Sequence, residues 1–78
     1  MRHSVIYSAD FMFQVLSILT VENNKAWSIA NNLQLTDKKW KNIEHFDVVT
    51  FETVGEMNQG ISEQVELSII QFKNNNYD

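Results

Sequence analysis

Few side chains in this sequence are equipped for chemistry. His3 and His45 are its only imidazoles. They stand far apart, and neither lies at helical spacing from a second metal-ligating group, so no metal site is defined. There is no cysteine, which removes a thiolate zinc site, a thiol nucleophile and a disulfide framework. Ser4 and Ser8 lack the strand-turn-helix setting of an activated nucleophile, and there is no glycine-rich phosphate loop. Enzymatic activity, a metal or a cofactor is therefore not expected. What remains is charge. Lys25, Lys38, Lys39 and Lys41 fall between residues 24 and 46, where only Asp37 and Glu44 oppose them, which leaves +2 on that segment. The formal net charge is −4, so the rest carries −6. Ammonium groups gathered in this way neutralise phosphate, although a lysine run is often only the solvated face of a helix. Position has to decide between the two.

The elements that must supply that position are bounded by size. A chain of 78 residues has room for one small domain with a modest core, which a second subunit would extend. The composition is that of a globular protein, 44% apolar and 21% charged. Apolar runs such as Val5-Ile6-Tyr7 are too short to cross a bilayer, and Asp10 and Gln14 interrupt any secretory signal. The sequence reads as mature throughout and cytoplasmic, with a single domain over residues 1–73 and a frayed polar tail over 74–78.

From Ser8 to Thr20, Gln14, Ser17 and Thr20 recur at every third position, which favours a helix with a narrow polar stripe. A strand competes there, because Phe11, Phe13, Val15, Leu19 and Val21 alternate with Ser17 as the exception. Ala26, Ile29, Ala30 and Leu33 set a second helix from about Lys25 to Leu33, and Gln34-Leu35 reads as a short break. Thr36 as cap and Asp37 in the first turn then start a third helix to about Phe46. Placing Trp40 inward puts Lys38, Asn42 and His45 on the opposite side, flanked by Lys39 and Lys41. Residues 47–54 alternate as a strand. Gly55 and Gly60 bracket a loop, and Val65, Leu67 and Ile69 suggest a second strand, with a helix capped by Ser62 as the alternative.

Three helices followed by a β-hairpin, with a tight break between the second and third, resembles the winged helix-turn-helix of bacterial, phage and viral DNA-binding regulators. The motif that carries the resemblance runs from Ile29 to Ile43, with Ala30 small at a helix crossing, Leu35 tucked into the turn, and Trp40 and Ile43 locking the third helix. Gln34 stands where that family often has glycine, and Trp40 where a smaller aliphatic is usual. The resemblance implies an α+β fold whose helix over residues 36–46 enters the major groove of double-stranded DNA. Thr36, Lys38, Lys39, Lys41, Asn42, His45 and Lys25 then form the contact set. So few cations would neutralise only three or four phosphates, so a homodimer is expected. The second reading is a protein-binding module, or an inhibitor from a phage or mobile element, that presents Glu52, Glu56, Glu63 and Glu66 to a basic partner.

Overall fold

The structure, a computed structural model, describes residues 2–9 and 12–76, with the backbone alone at residues 75 and 76. Five elements follow one another: β1 (His3–Ser8), β2 (Gln14–Leu19), α1 (Asn23–Thr36), β3 (Asp47–Phe51) and α2 (Val54–Asn76). The strands form one antiparallel sheet in the order β2-β1-β3. This is an α+β arrangement of two helices and three strands, which replaces the expected winged helix-turn-helix of three helices and a terminal hairpin.

The sheet is built around β1. Its short apolar run, Val5-Ile6-Tyr7, is the mark of a strand covered on both faces, and Ser4, Val5 and Ile6 are fully buried. Ile6 packs on one face with Ala26 and Ala30 of α1, Trp40 and Val48. Val5 and Tyr7 point to the other face, which carries α2. Ser4 is buried without being orphaned. Its Oγ donates to the Val21 carbonyl at 2.8 Å and lies 2.8 Å from Thr50 Oγ1. A hydroxyl has one proton, so Thr50 donates to Ser4 and in turn accepts from Asn23 Nδ2 at 3.0 Å. These bonds tie β1, β3 and the start of α1 together.

The expected first helix is instead the end of β1 and the whole of β2; Asp10 and Phe11 lie outside the described residues. A β-bulge explains the misleading spacing. Ile6 pairs with Ser17 but Tyr7 with Val15, so Leu16 is an extra residue. A bulge places residues three apart on one face. Gln14 and Ser17 therefore share the α1 face and Val15 and Ile18 the other, at a period that imitates a helix.

The expected second helix lies within α1, but α1 continues through Gln34-Leu35 and absorbs Thr36. Thr36 Oγ1 donates back to the Asn32 carbonyl at 2.8 Å, closing a helix instead of opening one. The third helix does not form. Asp37 Oδ1 accepts the Lys39 amide at 2.8 Å, and Trp40 N–H and Ile43 N–H reach back three residues to Asp37 and Trp40. Successive turns result, the preference of an aspartate that bonds its own backbone. Gln34 Nε2 donates to the Ile43 carbonyl at 2.9 Å and folds the segment back. Trp40 is buried as expected, whereas Leu35 is 79% exposed and is not tucked inward.

The strand expected over 47–54 forms over Asp47–Phe51 only, with Val54 already in α2, and it pairs with β1 and not with a following wing strand. The expected loop at 55–60 and strand at 62–72 are one helix, α2. Thr53-Val54-Gly55-Glu56 is a capping sequence, and Thr53 Oγ1 accepts the Glu56 amide at 3.2 Å. Gly60 serves proximity: a Cβ there would stand 2.7 Å from Phe51 Cζ, while one at Gly55 meets nothing closer than 4.0 Å. Gly55→Ala is expected to raise stability by about 0.5–1 kcal/mol through helix propensity, and Gly60→Ala to forfeit that gain or reverse it; urea unfolding of both variants measures the difference. Ser4→Ala strands the Val21 carbonyl and is expected to cost about 2 kcal/mol in the same assay.

Candidate interaction surface

The residues expected to contact DNA do not assemble on one helix face. Thr36 ends α1, and Lys38, Lys39, Lys41 and Asn42 are exposed on the turns that follow it. Lys25 lies in the first turn of α1, about 20 Å away along a 14-residue helix. His45 is exposed beside Tyr7 and Asp47, over a different depression. Three lysines and Asn42 thus share one turn region, while Lys25 and His45 stand apart from it. No helix spans residues 37–46 to enter a groove.

The second candidate surface is α2. The helix docks through Met57, which is buried, through Gly60 against the Phe51 ring, and through Ser68, whose Oγ accepts the Phe13 amide at 3.0 Å. At 100° per residue, Glu56, Gln59, Glu63, Glu66, Leu67 and Ile70 lie within an arc of about 100° along one flank of the helix, with Leu67 next to Gly60 at the edge of that contact line. Leu67 is 50% and Ile70 54% exposed. Gln59 Nε2 donates to Glu63 Oε1 at 3.3 Å, while Glu56 and Glu66 have no ion-pair partner among the described residues. Glu52 belongs less to this face, since it pairs with Arg2 at 3.2 Å. The face is therefore acidic with two apolar centres.

A groove of about 310 Å³ runs between α2 and the sheet, lined by Tyr7, Phe13, Phe51, Gly60 and Ile61 with Glu63 beside them. The Tyr7 and Phe13 rings are 5.1 Å apart. Tyr7 Oη donates to Asp47 Oδ2 at 3.2 Å. Among the described residues no three His, Asp or Glu side chains are grouped to hold a metal, and no helix is long and apolar enough to cross a membrane.

No known family model, curated protein or solved structure matches the chain. Its surfaces must therefore be read from their own chemistry. The acidic residues of α2 were visible in the sequence as charges, but their common face with Leu67 and Ile70 was not. The capping sequence Thr53-x-x-Glu56 was the signal that would have placed them together.

Partial burial, the Asp47 carboxylate and the hydrogen bond to it all raise the Tyr7 phenol above its ordinary value of 10.0. A raised acid in the folded state contributes stability below its unfolded pKa and loses it as pH rises through the folded one. Stability is thus expected to fall above about pH 10, and Tyr7→Phe to flatten that alkaline limb, as read by unfolding at stepped pH alongside phenolate absorbance.

Proposed function

We propose that this chain is a protein-binding module that lays the acidic flank of α2 into an apolar groove with a basic rim. The observation that carries the reading is the co-location of Leu67 and Ile70, each about half exposed, with Glu56, Glu63 and Glu66 on one side of a long helix. Large apolar side chains on a helix surface are the anchors of helix-in-groove recognition, and carboxylates around them steer a cationic partner. The −6 carried outside residues 24–46 adds to that steering. DNA binding, by comparison, would rest on three lysines in one turn, without a helix to enter the groove.

Binding energy in such a mode concentrates in the apolar anchors. A stoichiometric partner recovered by the full chain from cellular extract is expected to bind the Leu67→Asp/Ile70→Asp variant at least about 30-fold more weakly, a loss of about 2 kcal/mol. Reversing Glu56, Glu63 and Glu66 to Lys is expected to slow association and remove its salt dependence. Replacing Lys38, Lys39 and Lys41 by Ala is expected to leave capture unchanged. Loss of binding with the lysine variant alone, or salt-dependent binding to random duplex DNA that the lysine variant abolishes, would overturn this reading.

A further inference from the structure

We propose that a second copy of this chain pairs antiparallel along β2, joining two three-stranded sheets into one of six strands. β2 is an edge strand, bonded to β1 on one side only. Proteins guard such edges with charge or proline, because unpaired amides and carbonyls are a template for another strand. Here neither is present, since no residue from Phe11 to Val21 is charged and the chain has no proline; the one edge device is the bulge at Leu16. The other edge is guarded, with Asp47 at the start of β3 and Glu52 just beyond its end.

The partner is specified by the bulge. In the register with β1, Val15 opposes Tyr7 and Ile18 opposes Val5, so both lie on the α2 face of the sheet. Gln14, Ser17 and Leu19 oppose Ser8, Ile6 and Ser4 on the α1 face, and Leu16 packs there against the core. Along residues 14–19 the faces are therefore α1, α2, α1, α1, α2, α1. That order is the same read in either direction. A two-fold axis between Leu16 and Ser17 sets each bulge against its own copy and brings Val15 of one subunit opposite Ile18 of the other, twice. A regular strand of even length has no such symmetry of faces. Two-fold contacts need a patch complementary to itself, and β2 has one.

The apolar residues that would meet are open to solvent in the single chain, Val15 at 36% and Ile18 at 48%. The chain also exposes more than a compact monomer should. Its accessible surface is 5755 Å², against about 4,900 Å² for a compact monomer of its mass. Ser68 holds α2 against Phe13, the residue leading into β2, so α2 lies beside the start of the pairing edge.

Sedimentation equilibrium across a wide concentration range, with circular dichroism to confirm folding, tests the pairing. The parent chain is expected to be a closed dimer, and Ile18→Lys, at an exposed position, to raise the dissociation constant at least about tenfold. The double variant Val15→Cys/Ile18→Cys gives an independent readout. The chain has no cysteine of its own, and two residues three apart along a strand are too distant for a disulfide within one subunit. Mild oxidation is therefore expected to yield a covalent dimer. A parent that stays monomeric at millimolar concentration, open-ended oligomers, or a dimer dissociated by Leu67→Asp/Ile70→Asp but indifferent to Ile18→Lys would each overturn the proposal.

Discussion

The fold depends on burying β1 from both sides. A central strand without solvent on either face needs a layer on each, and the chain supplies α1 with the Trp40 turn on one and α2 on the other. Ser4 is the one buried polar residue of that strand, and its hydroxyl imposes a tight local constraint. Because its single proton goes to the Val21 carbonyl, Thr50 and Asn23 must donate in sequence, and that chain of donors fixes how α1 leaves the sheet. A low-dielectric interior makes such a network costly to break at any member. Trp40 and Phe46 close the same side, with ring centres 6.1 Å apart, and Trp27 reaches Phe46 from α1 at 5.5 Å.

Much of this was legible in the sequence as type and little as arrangement. The helix at Ala26, Ile29, Ala30 and Leu33 and the strand at 47–51 rest on residues whose periodicity is undisturbed. β2 was hidden because one inserted residue converts a period of two into an apparent period of three, so Gln14 and Ser17 imitate a polar helical stripe. The third helix was over-read because Asp37 has two uses at the start of a segment, as a first-turn carboxylate and as the anchor of a turn. The Lys39 amide takes it for the second. Gly60 misled differently: a glycine that makes room for the Phe51 ring looks, in sequence, like a glycine that makes a bend.

The charge pattern fared in the same way. Division into a slightly basic segment and a strongly acidic remainder is a property of composition, and it survives in the fold. Lys38, Lys39 and Lys41 remain neighbours because they are neighbours in sequence. Lys25 and His45 were joined to them only through a helix geometry that residues 37–46 do not adopt. On the acidic side the geometry adds what composition lacked, since a helix over 54–76 gathers Glu56, Glu63 and Glu66 around two half-exposed aliphatic residues.

The strand order β2-β1-β3 carries a cost in time. β1 and β2 pair across only five intervening residues, whereas pairing His3 with Phe51 must first bring together residues separated by the whole of β2 and α1. Loop-closure entropy puts that second step about 1.5 kcal/mol above the first. β1 and β2 paired alone would be a two-stranded ribbon with an uncharged outer edge and the Val5-Ile6 run bare on its inner one. β3 and α2, which cover that run, thus also keep the chain from pairing through it with other chains.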